Sequence, residues 1–385
     1  MGICGFGAWW LFTRDSSDNG GGGHSSGSAQ AAKGEATETD TDATVVRIAY
    51  GTEKKRWLQW ATDQFEETRD GRKIAIELVP MGSLEGARAT VSGEGEIHVW
   101  SPASSAYRNV FETEWELQHN SEPIIHSETL ALTPMVFVIW EERHRAFQER
   151  FGSLNFDTLS EAMNLPGGWN EIAEKPEWGF FKFGHTNPNQ SNSGLLSLTL
   201  MAHHYYDKTL PLEARDIVNG DFQTWLRQIE GSVSGLINST GNMMRDMVLK
   251  GPASYDVVFV YENVAIDYLK NAEGRWGRLE VVYPKINMWN DNPYYIIDAP
   301  WSDKETVKAA RTFLDFLMSE PVQAQSLVHG FRPGNPSIPV IGPESPFEKY
   351  QSSGLQIPIP SIAEPPRADA INNLLTGWQR LRSSR

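Results

Sequence analysis

The residues best suited to chemistry lie in a ten-residue run of small polar types, His185-Thr186-Asn187-Pro188-Asn189-Gln190-Ser191-Asn192-Ser193-Gly194. An apolar segment, Phe180 to Phe183, precedes it, and a nearly all-apolar stretch begins at Leu195. This order predicts a short strand, a polar loop and a helix start. Ser, Thr and Asn before a helix satisfy its unpaired backbone N–H groups. The same groups also suit a ligand, since a helix start carries about half a positive charge and a cluster of free donors. An ordinary N-cap is the plain alternative, but ten polar residues exceed what capping needs. The run is therefore read as a ligand loop.

Three other turns share the layout of apolar strand, polar turn and helix: Gly51-Thr52-Glu53-Lys54, Ser101–Ser105 and Tyr261-Glu262-Asn263. A further polar helix start, Ser239-Thr240-Gly241, precedes Met243, Met244 and Met247, which read as core residues. In open α/β sheets ligands bind beyond the carboxyl ends of the strands. Two of the four turns precede Ser127–Trp140 and two follow it. That segment, interrupted by Pro134, is too long for one ordinary strand and reads as a crossing between two lobes. Pro284–Pro293 reads as a second crossing. The four turns are thus expected on opposite walls of one cleft, a usual place for a small-molecule site.

The elements that must position these turns are legible from periodicity. Val45–Tyr50 reads as a buried strand, followed by a helix with Trp57, Trp60, Ala61 and Phe65 on one face. Lys73–Val79 and Ile97–Trp100 continue the strand–helix alternation of a sheet covered on both faces. Asp256–Val260, Leu279–Tyr283 and Tyr294–Ile297 are further strands, and Ser302-Asp303-Lys304-Glu305 fits a capping box. A last amphipathic helix is expected over about 368–381.

The 385-residue chain is long enough for two domains, and its 40% hydrophobic content with 14 Trp and 17 Phe is that of a globular protein. Its 49 acidic and 34 basic residues leave a formal charge of −15, which argues against nucleic acid and against an anionic lipid surface. Cys4 is the only cysteine, so no intrachain disulfide forms. Residues 1–14 hold an apolar run, Ile3–Phe12, too short to span a bilayer. Residues 15–43 have the composition of a flexible tether. Together they read as the remnant of an export signal or anchor, with a disordered tail as the alternative.

A hydrolase is the rival from another class. Gly23-His24-Ser25-Ser26-Gly27 matches G-x-S-x-G but lies in the tether, without the strand and helix that a nucleophile elbow needs. His203 and His204 are adjacent on a helix and point apart, which is poor metal geometry. The chain is read as non-catalytic, with no cofactor and no metal.

The segments Ile97–Ser105, Phe183–Leu198, Gly251–Ile266, Asn292–Trp301 and Gly330–Pro336 resemble, in matching order, a bacterial extracellular solute-binding protein of the type II periplasmic-binding-protein fold. The likeness is closest to the branch of molybdate-type and von Willebrand A-associated modules. It implies two α/β lobes with mixed sheets joined by two crossing strands, closing on a solute by hinge motion. By position, lobe one is 44–134 plus 289–345, lobe two is 135–288, and 346–385 is a C-terminal extension with a terminal helix. The ligand-binding set so implied is Thr52, Glu53, Ser101, Ser104, Thr186, Asn187, Ser191, Asn192, Ser193, Ser239, Thr240, Tyr261 and Glu262. Its hydroxyls and helix-start amides suit an oxyanion or a neutral polar solute.

Several side chains leave the ligand's charge open. Glu53 and Glu262 would repel an anion, or could clamp an amine or cation; Glu53 also fits as a first-turn acid. Lys54 and Arg332 could neutralise an anion or be structural, His185 reads as a loop hydrogen-bonder, and Tyr261 or Trp100 could stack on a solute. The expected protein is a monomeric, extracytoplasmic, membrane-tethered binder of a small polar solute that serves an ABC permease. A sensing or interaction module of the same fold is the alternative.

Overall fold

The computed structural model of the protein describes residues 43–383 except Glu273. The apolar N-terminal run, the tether and its G-x-S-x-G match lie outside the described residues. Among the described residues, twelve strands occur in chain order: β1 (Thr44–Tyr50), β2 (Ile74–Pro80), β3 (Val99–Ser101), β4 (Ile124–Thr129), β5 (Ala131–Leu132), β6 (Met135–Trp140), β7 (Phe183–Thr186), β8 (Leu236–Ile237), β9 (Val257–Tyr261), β10 (Leu279–Val282), β11 (Pro293–Ile297) and β12 (Arg332–Pro333). They form two five-stranded sheets, ordered β2-β1-β3-β11-β4 and β10-β6-β9-β7-β8, and a small β12-β5 pair. Both large sheets are mixed. In the first, β1 runs parallel to β2 and β3, while β11 is antiparallel to β3 and β4. In the second, β7 is parallel to β8 and β9, while β6 is antiparallel to β9 and β10.

Each sheet organises one lobe, because alternating residues of a strand face opposite sides and both sides must be covered. Val46, Ile48 and Tyr50 of β1 pack with Trp57, Phe65, Phe313 and Leu317 from the helices Lys55–Glu66 and Lys304–Leu317. Ala49 of the same strand faces Trp100, Phe111 and Trp115 on the other side. Strands β6 and β9 are buried at every residue, the pattern of a central strand covered on both faces.

Ser127–Trp140 is not one extended segment. It breaks at Leu130 and again at Thr133-Pro134, so β4 belongs to the first sheet, β6 to the second and β5 to the crossing between. Three buried asparagines hold the return crossing beside it. Asn287 Nδ2 donates to Met135 O (2.7 Å), Asn290 Nδ2 to Thr133 O (3.0 Å) and Asn292 Nδ2 to Ala131 O (3.1 Å). Side-chain amides do here what a regular ladder would do elsewhere, and a third passage follows β12, since Phe331 packs in the first lobe and Phe347 in the second.

Other boundaries shift for local reasons. The strand expected at Phe180–Phe183 lies at Phe183–Thr186, and Phe180 is exposed. Polar His185 and Thr186 are accommodated in a buried strand because Glu230 and Ser193 bond to them. The helix after the loop begins at Asn192 rather than Leu195. The helix expected from Ser302 has Asp303 as its N-cap, with Oδ1 accepting from Thr306 N (2.7 Å). The C-terminal segment packs back on the second lobe. Phe347, Leu355, Leu374 and Trp378 join its core, and the last helix, Ala368–Ser383, lies against the helix Asn192–Tyr206.

Candidate functional site

A cleft of about 1170 Å³ opens between the two lobes. Four helix starts line it. Gly51-Thr52-Glu53 follows β1, and Gly82-Ser83 opens the helix Ser83–Ser92 after β2. From the second lobe come Ser191-Asn192, opening Asn192–Tyr206, and Ser239-Thr240, opening Thr240–Lys250. Neither Ser191 nor Ser239 caps its helix with its own side chain. The N-terminal ends of three helices of ten residues or more, Ser83–Ser92, Asn192–Tyr206 and Thr240–Lys250, thus converge on one space. Such an arrangement concentrates backbone donors and positive helix-dipole ends. Tyr261, at the end of β9, lines the same cleft.

The ligand loop is held from within. Thr186 Oγ1 and Ser193 Oγ are 2.6 Å apart, and Ser193 Oγ lies 2.9 Å from Ser191 Oγ. Asn187 Oδ1 accepts from Asn189 N (3.0 Å), closing an Asx turn. Asn192 Nδ2 donates to Tyr261 Oη (2.8 Å) and to Asn290 Oδ1 (3.1 Å), so the helix start is tied to β9 and to the return crossing. Gly194 packs on the loop backbone; a Cβ there would sit 2.4 Å from Thr186 O.

Of the residues singled out in the sequence, Thr52, Glu53, Ser191, Asn192, Ser239, Thr240 and Tyr261 line the cleft. Thr186 and Ser193 are fully buried behind it, with their hydroxyls bonded to each other, and Asn187 is spent on its turn. Ser101 and Ser104 lie inside the first lobe. Ser104 Oγ accepts from Ala106 N (3.2 Å), an N-cap. Glu262 does not reach the cleft. It is fully buried and bound by Arg332, whose Nε and Nη2 donate to its two oxygens at 2.9 and 2.7 Å, and by Tyr283 Oη. A buried carboxylate needs such a partner, and a bidentate guanidinium supplies it. Arg332 is accordingly structural, and Trp100 stacks on Tyr295 in the first lobe's core. His185, expected as a loop hydrogen-bonder, does its bonding from within β7, to Thr186 O and Glu230.

Lys54 is also structural. Its side chain is fully buried, and Nζ donates to Glu53 Oε1 (2.6 Å), Pro102 O (3.0 Å) and Asn292 Oδ1 (3.1 Å). Burial lowers its pKa while the Glu53 carboxylate raises it, with a net fall. The pair neutralises Glu53, one of the acids that line the cleft. Around the rim, Asp267 meets Arg56 at 3.3 Å, and burial pushes its carboxyl up to about 6 against the pull of that guanidinium. Lys55, Arg88 and Arg245 add positive charge and Glu85 and Glu94 negative charge. The walls are therefore balanced on a molecule that is acidic overall.

Gly82 and Ser83, Asn290 and Asn292 escaped sequence reasoning. The turn Met81-Gly82-Ser83 has the same strand–turn–helix layout as the others and was findable on that ground. The asparagines carry no periodic signal; only the crossing brings them beside Asn192 and Lys54.

Comparison with known proteins agrees with this architecture. The model of the family described as bacterial extracellular solute-binding protein matches residues 46–332. No curated protein matches the chain. Among solved structures, the sulfate-binding protein SubI from Mycobacterium tuberculosis H37Rv aligns with a TM-score of 0.55 at 15% identity, over 89% of this chain and 99% of that one. The ferric binding protein from Campylobacter jejuni aligns with a TM-score of 0.56 at 12% identity, over 88% and 97%. Maltose-bound MalE3 of T. maritima aligns with a TM-score of 0.55 at 14% identity, over 88% and 100%. At such identities the likeness shows the two-lobed fold and leaves the solute open.

Proposed function

The chain belongs to the bacterial extracellular solute-binding proteins, and from that premise we propose that its two lobes close around a small polar solute held by helix starts of both walls. The observation that carries this reading is the convergence of Thr52, Ser83, Ser191-Asn192 and Ser239-Thr240 on one cleft. An oxyanion fits best, because helix starts offer oriented N–H donors, Glu53 is neutralised by Lys54, and Glu85, the acid at the Ser83–Ser92 start, is engaged by Gly82 N (3.1 Å). Each hydrogen bond so made contributes about 0.5–1.5 kcal/mol net. Thr52, Glu53, Ser191, Asn192, Ser239, Thr240 and Tyr261 are proposed as the contacting side chains, with Thr186, Asn187 and Ser193 shaping the loop behind them.

The family places the protein outside the cytoplasm. Delivery to an ABC permease, tethering through the segment before residue 44, a monomeric state and kinship with the molybdate-type branch complete the proposal. No catalytic step is assigned to the cleft. The test is a thermal-shift screen with sulfate, molybdate, phosphate, amino acids, sugars and divalent cations. Ligand at about 100 times its Kd adds roughly 2.7 kcal/mol and raises Tm by mass action. An oxyanion is expected to give the largest shift. A shift only with amines or metal cations would overturn the oxyanion assignment, and no shift with any compound would overturn the solute-binding reading.

A further inference from the structure

The terminal helix Ala368–Ser383 lies outside the segment matched by the family, yet it touches the ligand loop directly. Gln379 Nε2 donates to Asn189 Oδ1 (3.0 Å), and Asn189 lines the cleft. One residue earlier, Trp378 Nε1 donates to Glu230 Oε2 (2.6 Å). Glu230 is buried, and its other oxygen lies 2.8 Å from His185 Nε2. His185 Nδ1 in turn lies 2.8 Å from Thr186 O, at the point where the loop leaves β7. Arg382 Nη1 closes the group on Glu230 O (3.2 Å).

The same helix meets the other lobe. Ile371 and Leu375 share an apolar cluster with Trp100, Phe111 and Trp115 of the first lobe and with Leu195, which follows the loop. The helix therefore reaches the loop directly at Asn189 and bears on its two ends through intermediaries. At one end it bonds to Asn189 and, through Glu230 and His185, to the exit of β7. At the other it shares an apolar cluster with Leu195.

We propose that Trp378 and Gln379 are positioning residues of the solute site: the C-terminal helix braces residues 187–194 from behind, so that the loop is ordered before any solute arrives. Ordering a loop in advance removes that entropic cost from the binding step. A loop held only by its own hydroxyl contacts would sample more states and bind more weakly in proportion to the fraction that is competent. The affinity part of this inference rests on the cleft being the solute site; the ordering part does not.

Two variants of the full chain separate the brace from plain stability. Trp378→Phe keeps a ring in the core and removes the indole donor, and Gln379→Ala removes the contact to Asn189. Leu374→Val, on the same helix but within the second lobe's core, serves as the control of ordinary destabilisation. Hydrogen exchange of the amides in 187–194 is expected to accelerate about tenfold in the Trp378→Phe/Gln379→Ala double variant, and little in the control. With sulfate as the probe, calorimetric Kd is expected to weaken by about the same factor in the double variant alone. Unchanged exchange in the loop, or equal acceleration in the Leu374→Val control, would overturn the brace. If the unmutated protein binds no probe, the functional proposal fails, while the exchange measurement still decides whether the helix orders the loop.

Discussion

Replacing Arg332 by Met isolates the interaction that withdraws Glu262 from the cleft. Arg332 is 6% exposed and Glu262 fully buried, and two charge-assisted hydrogen bonds join them. Arg332 also donates to Gln356 O (2.6 Å) and Ile357 O and lies over the rings of Phe347 (4.9 Å) and Trp289 (5.4 Å). Methionine retains most of the stem's volume but leaves the carboxylate with the Tyr283 hydroxyl as its remaining partner. Removing one member of a buried ion pair costs about 3–5 kcal/mol. A domain's whole stability is about 5–15 kcal/mol, so the urea midpoint should fall far enough to measure easily. Burial already raises the Glu262 pKa, against the pull of Arg332. Without Arg332 the group protonates instead, so the penalty should shrink as pH falls.

The double variant Glu262→Leu/Arg332→Met should recover most of the loss, because exchange of a buried pair for apolar groups is often neutral or stabilising. Conversely, Glu262→Gln should leave solute selectivity unchanged, since the side chain does not line the cleft. A cost below about 1 kcal/mol for Arg332→Met would refute the pairing argument, that being the scale of an exposed pair. Altered selectivity in Glu262→Gln would return the acid to the site.

Three further outcomes follow from the same geometry. Gly194→Ala should destabilise the protein by about 1–3 kcal/mol despite the better helix propensity of Ala, because the added Cβ meets Thr186 O at 2.4 Å and Pro188 N at 2.6 Å; a raised Tm would contradict this. Lys54→Met should weaken binding of the sulfate probe about tenfold or more, by exposing the anion to an uncompensated Glu53; calorimetry showing an unchanged Kd would dismiss that electrostatic role.

The His185–Glu230 pair should stabilise the fold most between about pH 4.5 and 6.5, the ordinary values of the two groups. Burial opposes both charges, but each partner outweighs it for the other, raising His185 and lowering Glu230; Arg382 opposes the first and assists the second. The raised His contributes fully below its unfolded value and is lost as pH rises through its folded one. The lowered Glu contributes above its unfolded value and is lost as pH falls through its folded one. The stability difference between the unmutated protein and His185→Gln, followed by urea midpoint against pH, should therefore shrink on both sides of that window. A difference independent of pH would show that the pair is not charged.

Much of the layout could be read in advance. Trp57, Ala61 and Phe65 at helical spacing, and the alternation of strand and helix before residue 120, announce covered sheets, because burial of one face is a local periodicity. The hydroxyl-rich helix starts at Thr52, Ser191 and Ser239 were visible for the same reason: capping chemistry is local in sequence. Residue type alone could not say which polar turns face the cleft. Ser101 and Ser104 carry the same signal as Ser191, yet they lie inside the first lobe, and the Gly82-Ser83 turn takes the place expected for them. Glu262 and Lys54 were equally undecidable, since Glu262 pairs with Arg332, 70 residues away, and Lys54 is held beyond its neighbour Glu53 by Asn292, 238 residues away.

The sequence by itself thus determined the element types, the two crossings and the pool of hydroxyl and amide donors, all of which depend on neighbours within one turn or one strand. Only the tertiary structure decided which of those donors share a space, which charges are spent on each other, and that the last helix reaches back to the loop at Asn189. The physical reason is that desolvation and pairing energies are set by what the rest of the chain places within hydrogen-bond reach, and no local pattern encodes that distance.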